Sequence, residues 1–593
     1  MKRVADYIID QVVQAGVKHI YMVTGRGSLF LNDAVAASKD ISAVCAHHEQ
    51  AAAFAAVADA QYSESLGVCM VSTGCAMTNA LTGVLNAWQD GIPCLFISGQ
   101  NKVKETSYHT RIPIRTYGQQ ETNIIPIVQS ITKYAVTITN PQATVFEIGK
   151  AIYLSTEGRK GPVWVDVPLD IQNSRIDVSS QEAYSPRKNI FQSCNQDITY
   201  LMKALENAER PVLLLGSGVR SSGAIALVKD FAEHWEIPIT YSPSAADLID
   251  SHHPLCIGSV GVMGCSRAGN FTVQNSDLLI VLGNRLNSMI TGNEFEKFAR
   301  DARIIVVDID ETEHSKEGVP IDHFIKCDLK HFLEQMPKKR IQEPKLGWLR
   351  QCQHWKQVFP RFEATFNHPT KVDLYQLASV FSETLPPDSV FICDSGLIEL
   401  ILPSNVEFTP PTRCIHPASQ GSMGFALPAI VGAYFSSKKT VVAVIGDGSF
   451  MMNLQELQTI RYHKIPAKIF VVNNNAYSII RKRQNELFRR RTIGTDSENG
   501  LSIPDFRQIA DCFGLQYERI DNNQNFTKKM SKIFDFDGAV LCEIAGVEDQ
   551  NYIQMSHTKN SEKKIVQRPL EDQSPFLDRD FFLSEMITKP IDQ

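Results

Sequence analysis

Short apolar runs rich in β-branched residues alternate along this chain with segments whose apolar residues recur at helical spacing. The runs fall into three blocks. In the first, residues 20–24, 43–45, 68–72, 94–98 and 162–167 read as strands. The second has them at 212–216, 239–241, 278–282 and 304–309, and the third at 390–393, 441–445, 468–472 and 540–544. Alternation of this kind predicts parallel sheets covered by helices on both faces. Between the blocks, 171–195 reads as a polar linker and 336–371 as irregular; beyond about 550 the pattern fades into a charged tail. The expected fold class is α/β, with three doubly wound parallel-sheet domains at 1–175, 190–340 and 370–550 and a tail at 551–593. No short repeat period is visible, which disfavours solenoids and propellers.

At 593 residues the chain exceeds what one core organises, in keeping with several domains. Val4, Ile8, Val12 and Val13 fall at helical spacing, and Asp6 and Asp10 interrupt the run, so the beginning reads as an amphipathic helix without a secretory signal. No stretch of about 18 apolar residues predicts a membrane span. A net charge of −6 argues against a nucleic-acid partner. Thirteen cysteines, without CxxC pairs, read as free thiols of a cytoplasmic protein.

The sharpest chemistry lies in the third block. The run 441–445 leads straight into Gly446-Asp447-Gly448-Ser449, where glycines let backbone approach a phosphate closely. Leu454, Leu457 and Ile460 predict a helix after it, whose N-terminus suits an anion. The next run ends in Asn473-Asn474-Asn475. A right-handed β–α–β connection returns that strand parallel to the first, so Asp447 and Asn474 converge at one sheet edge. Oxygen ligands of this kind, completed by phosphate and water, suit Mg²⁺. Alone, Gly-Asp-Gly is most often just a turn.

With its flanking elements, the motif resembles the thiamine diphosphate site of the acetolactate synthase family, and Gly446–Arg461 is very similar to that family's segment. The resemblance runs from about Val4 to about Gly546 and implies domains for the pyrimidine, a central fold and the diphosphate. It implies that Asp447, Asn474 and the carbonyl of Ala476 hold Mg²⁺, and that Gly446, Gly448, Ser449, Tyr477 and Gly396 lie against the cofactor. Gly421 and Met423 correspond to backbone that binds the aminopyrimidine, and Ile479 to the residue that props the cofactor bent. Glu49, in His47-His48-Glu49-Gln50 before an Ala-rich helix, corresponds to the carboxylate that activates the cofactor; without the resemblance it reads as a helix-start glutamate. Gly25, Thr73, Asn79 and Gln120 match family stretches around the active site. Members of this kind work as homodimers or homotetramers, with Glu49 of one subunit and Asp447 of another serving one cofactor across a dimer interface.

Departures from the pattern also carry information. Arg483 stands where the family has a pocket-shaping Trp; it reads as a solvated charge or, more sharply, as a partner for an anionic acceptor such as a nucleotide sugar. Gly283–Met289 resembles a segment that contacts FAD, with Met289 in place of a second Arg, which leaves FAD open. The loop after 390–393 lacks the family's Gly-Gln-His and carries Glu399, unfavourable beside a diphosphate unless it points away. The expected activity is decarboxylation of pyruvate or a similar 2-keto acid and transfer of the two-carbon unit to an acceptor carbonyl. Simple decarboxylation, acyloin cleavage or a non-catalytic role are the alternatives.

Overall fold

The first sheet takes six parallel strands, β1 (His19–Met22), β2 (Ser42–Cys45), β3 (Gly67–Val71), β4 (Cys94–Gln100), β5 (Tyr134–Thr137) and β6 (Val163–Pro168), in the order β2-β1-β3-β4-β6-β5. The computed structural model describes residues 1–186, 194–340, 343–559 and 564–591. Helix α1 (Val4–Gln14) buries Val4, Ile8 and Val12, as its spacing predicts. Helix α2 (Glu49–Ser63) is buried nearly all round, because alanines let neighbouring backbones approach closely.

The middle sheet comprises β7 (Pro211–Leu215), β8 (Ile239–Tyr241), β9 (Cys256–Ser259), β10 (Leu278–Leu282), β11 (Arg303–Asp308) and β12 (His323–Lys326). Its order, β9-β8-β7-β10-β11-β12, is that of a dinucleotide-binding sheet. Residues 336–371, read as irregular, include the helix α3 (Leu346–Val358). Trp348, Leu349, Cys352 and Trp355 recur on its buried face, a helical spacing that the surrounding prolines and basic residues masked.

The third sheet holds β13 (Val390–Cys393), β14 (Arg413–Ile415), β15 (Val441–Gly446), β16 (Lys468–Asn473), β17 (Gln516–Ile520) and β18 (Val540–Ala545). They run β14-β13-β15-β16-β18-β17, the same permutation as the first sheet. Helix α4 (Ala426–Ser437) packs tightly along α2: a side chain on Gly432 would overlap the carbonyl of Ala55. This contact joins the first and third sheets in one core.

Three doubly wound sheets are therefore present, as expected, with six strands each. The strands at 134–137, 323–326, 413–415 and 516–520 escaped the sequence reading because they are half-exposed edges without a continuous apolar run, and the buried Cys256–Ser259 escaped it because Gly258 and Ser259 cut its apolar run short. Within the linker, Arg175–Ile176 pairs antiparallel with Lys2–Arg3; residues 187–193 of it lie outside the described residues. The tail is a correction. Residues 551–591 include an antiparallel pair, His557–Lys559 with Ile565–Gln567, and a last helix, α7 (Arg579–Glu585), numbered after α5 (Glu456–Tyr462) and α6 (Ser478–Leu487). Its charges concealed Leu570 and Phe582, which are buried against the middle domain.

Candidate active site

In open parallel sheets, ligands bind beyond the carboxyl ends of the strands, where the strand order reverses. In the third sheet that point lies between β13 and β15, and each of these strands is followed by a buried aspartate, Asp394 and Asp447. Asp447 accepts from Gly448 N at 2.7 Å and from Asn474 N at 2.9 Å, so the turns after β15 and β16 are tied together as the crossover argument required. Burial pushes the Asp447 carboxyl up to about 6, against the lowering pull of those amides. Asn474 Oδ1 accepts from Ala476 N at 3.2 Å, which holds the asparagine beside the carboxylate.

The helix expected straight after the motif is broken. A single turn at Asp447–Phe450 is followed by α5, which begins only at Glu456. Tyr477 lies across Gly448, and a side chain there would overlap its ring. Ile479 is half-buried on α6, the helix that starts one residue after Tyr477. Arg483 is exposed on the same helix.

Asp394 is fully buried and gathers the site from below. It accepts from Ser395 N at 2.8 Å, Gly424 N at 3.2 Å, Ala426 N at 2.7 Å and the hydroxyl of Ser449. These bonds set the segment containing Gly421 and Met423 against the Gly446–Ser449 turn. Gly396 follows two residues later. Glu399 does not point at that turn: its Oε1 lies 3.6 Å from His416 Nδ1. Burial alone would lower the His416 pKa, but the Glu399 carboxylate beside it holds it at about 9.

The first sheet reverses between β1 and β3, and there Gly25 lies against Ser72 and Gly27 against Thr73. Gly27 N donates to Ser72 Oγ at 3.0 Å, and Thr73 Oγ1 to the Gly99 carbonyl at 3.2 Å. The exposed Gln120 sits on the same rim; Gly74 lies under its carbonyl, and Arg26 donates to the neighbouring Gln119. Glu49 is the first residue of α2 and partly exposed; Asn79 Nδ2 donates to its Oε2 at 2.9 Å. His48 caps that helix by accepting from Gln50 N at 3.1 Å.

The two halves touch within one chain. His47 N donates to Glu456 Oε1 at 3.0 Å, and Asn453 Nδ2 donates to Gln50 Oε1 at 3.0 Å and to the Gly424 carbonyl at 2.8 Å. Sequence reasoning missed Asp394, Asn453 and Glu456. Asp394 had a signal, an acid directly after a buried strand as with Asp447, but the loop was read for Gly396, Glu399 and the missing Gly-Gln-His.

The chain fits a diphosphate and a hard cation. The donor set at Asp447, Asn474 and the Ala476 carbonyl is all oxygen, and Ser422 Oγ, between Gly421 and Met423, is buried without a hydrogen-bond partner. Among the described residues, no cluster of three His, Cys, Asp or Glu side chains could bind a metal by itself, so added ligands are needed. A cavity of about 300 Å³ opens at the reversal point of the middle sheet, lined by Gly216, Gly283, Arg285 and Asp310 and, from the third domain, by Glu399 and His416. Among the described residues no helix is long and apolar enough to cross a membrane.

Three domain models match this chain. Residues 2–127 match the N-terminal TPP binding domain of thiamine pyrophosphate enzymes, 198–336 their central domain and 394–544 their C-terminal TPP binding domain. The chain is 28% identical to the acetolactate synthase large subunit of Pyropia yezoensis, over 94% of each chain. It is 28% identical to the isozyme 1 large subunit of Escherichia coli K12, over 91% of this chain and 93% of that one. With the mitochondrial acetolactate synthase of Schizosaccharomyces pombe the identity is 29%, over 90% and 82%.

Proposed function

The chain belongs to the thiamine pyrophosphate enzyme family, as an acetolactate synthase-like member, and on that premise we propose that it is a Mg²⁺-dependent carboligase. It decarboxylates pyruvate or a similar 2-keto acid and passes the two-carbon unit to an acceptor carbonyl. The observation that carries this is the joining of Asp447 and Asn474 across two strand ends, at the reversal point where the sheet presents its ligand edge.

Thiamine diphosphate, when bound, supplies a nucleophilic thiazolium carbon and an electron sink. The chain supplies the setting. Asp447, Asn474 and the Ala476 carbonyl hold Mg²⁺, which offsets the charge of the diphosphate beside Gly446, Gly448, Ser449, Tyr477 and Gly396. Backbone at Gly421 and Met423 would hold the aminopyrimidine, and Ile479, half-buried on α6, would pack against the cofactor. Glu49 has one oxygen fixed by Asn79, which leaves Oε1 to give and take a proton at the aminopyrimidine. Gly25, Thr73 and Gln120 line the substrate side.

The working unit in this proposal is a cytoplasmic homodimer or homotetramer, in which Glu49 of one subunit serves the cofactor held by Asp447 of another. Exposed Leu29, Ile112 and Tyr117 on the first domain support a covered face, and thirteen free cysteines support a reducing compartment. FAD is proposed for the middle cavity, supported by the dinucleotide-type strand order. An anionic acceptor, such as a nucleotide sugar, is supported by Arg483, exposed on the helix that leaves the metal loop.

Purified protein with thiamine diphosphate, Mg²⁺ and pyruvate, alone and with a second keto acid or a nucleotide-linked ketosugar, tests the reading. Release of CO₂ with a carbon–carbon ligation product supports it, and the preferred acceptor decides the role of Arg483. Free acetaldehyde as the sole product makes the chain a decarboxylase; no CO₂ from any 2-keto acid sinks the proposal. Flavin absorbance after denaturation tests FAD, and sedimentation tests the oligomer.

A further inference from the structure

We infer that Asp394 is the positioning residue of this site: its carboxylate sets the register between the segment 421–426 and the Gly446–Ser449 turn. The inference rests on the cofactor reading above and names a group that reading does not use. Asp394 stands immediately after β13, at the point where strand order reverses, and is 0% exposed. Every group it meets is a donor: three backbone amides, of Ser395, Gly424 and Ala426, and one hydroxyl, of Ser449. A carboxylate offers acceptors to all four, whereas an asparagine amide places a donor group toward one of them; burial raises the Asp394 pKa, and the four donors pull it back down.

The bonds reach three separate segments, at 395, at 424–426 and at 449. Gly424 N also donates to Ser449 Oγ at 2.8 Å, which closes a small ring of three groups. From Gly424 the connection continues outward. Its carbonyl accepts from Asn453 Nδ2, and the same amide group donates to Gln50, the residue after Glu49. One buried carboxylate thus links the backbone proposed for the aminopyrimidine to the diphosphate turn and, through Asn453, to the start of the helix that carries Glu49. A shift of Gly424 moves both ends.

The test is Asp394→Asn in the full chain, read in two ways. Without cofactor, amide hydrogen exchange in the 421–426 peptide is expected to speed at least tenfold, while strand β18 keeps its protection. With Mg²⁺ present, the half-saturating concentration of thiamine diphosphate is expected to rise at least tenfold, with a fall in kcat. Asp373→Asn is the control, a buried helix cap of the same domain outside the site. It is expected to lower thermal stability and leave half-saturation unmoved. Unchanged exchange at 421–426, or a changed exchange with unchanged half-saturation, overturns the inference. If wild-type protein never responds to thiamine diphosphate, the cofactor reading fails and exchange alone decides whether Asp394 holds the segment. Should Asp394→Asn not fold, Ser449→Ala removes one of the four donors and is expected to shift both readouts the same way by a smaller factor; no shift in either overturns the inference.

Discussion

The ring of Tyr477 fills the space in which a side chain on Gly448 would begin. The glycine is therefore required by its neighbour. Gly448→Ala forces the turn or the ring to move, an overpacking cost of about 1–3 kcal/mol. The expected result is a rise in half-saturation for thiamine diphosphate of about tenfold or more. Tyr477→Ala in the same chain is expected to recover much of the loss by vacating the space. A double variant as weak as Gly448→Ala alone refutes the steric account.

Glu49 and Asn79 form a second testable pair. Glu49→Gln preserves shape and the hydrogen bond from Asn79 but removes the acid–base group, so turnover is expected to drop on the order of 10²-fold or more. Calorimetric binding of thiamine diphosphate should stay within a few-fold. Asn79→Ala leaves one carboxylate oxygen unheld and is expected to cost about ten- to a hundredfold in kcat, in line with a hydrogen bond to a charged group. Full turnover in Glu49→Gln contradicts its proposed role.

Much of this site was legible because its residues sit on strand ends. Asp447 and Asn474 follow continuous apolar runs, and the right-handed crossover rule alone brings them to one edge. Glu49 could not be weighed that way. Its value depends on Asn79 and on a helix buried along α4, and both are long-range facts. Asp394 was hidden for a different reason: its partners are backbone amides 30 and 32 residues away, which leave no trace in side-chain identity. The helix after the Gly-Asp-Gly turn was placed too early because Leu454 shares the helical spacing of Leu457 and Ile460, whereas α5 starts only at Glu456.

Metal removal gives a direct check on the oxygen donor set. Chelation by EDTA and gel filtration are expected to abolish turnover, and Mg²⁺ to restore it. Asp447→Asn keeps an oxygen at the site but loses the charge, so the Mg²⁺ concentration for half-activation should rise by about tenfold or more. Turnover that survives exhaustive chelation removes the metal from the proposal.

Asp166 gives the fold a pH dependence of its own. It is buried at the end of a chain in which Trp164 Nε1 donates to Ser98 Oγ at 2.9 Å, and Ser98 Oγ donates to Asp166 Oδ1 at 2.7 Å. Burial pushes its pKa from 3.8 up to about 7. Between those values the folded chain keeps a proton that the unfolded chain has released, so this group's contribution to stability falls as pH rises and is flat above about 7. Asp166→Asn removes that slope. The unfolding midpoint of the wild type relative to the variant is expected to decline from pH 5 to pH 8; parallel midpoints across that range refute the assignment.

The tail offers a prediction about stability, and it separates a folded strap from a loose appendage. Glu571 is fully buried and is bound by Arg300 at 2.9 Å and by Gln274 Nε2 at 2.6 Å, both from the middle domain. Eleven residues further on, Phe582 packs against Phe271, and Trp355 Nε1 donates to Glu585 at 3.0 Å. Removing one member of a buried ion pair strands the other, at a cost of about 3–5 kcal/mol. Glu571→Ala is therefore expected to lower the unfolding midpoint by several degrees and to open residues 551–591 to limited proteolysis before the three domains are cut. Replacing both partners, Glu571→Leu with Arg300→Met, removes the stranded charge and should recover part of the loss. A Glu571→Ala chain with wild-type stability and an uncut tail means that the apolar contacts of Leu570 and Phe582 hold the strap alone, and the buried pair is then dispensable.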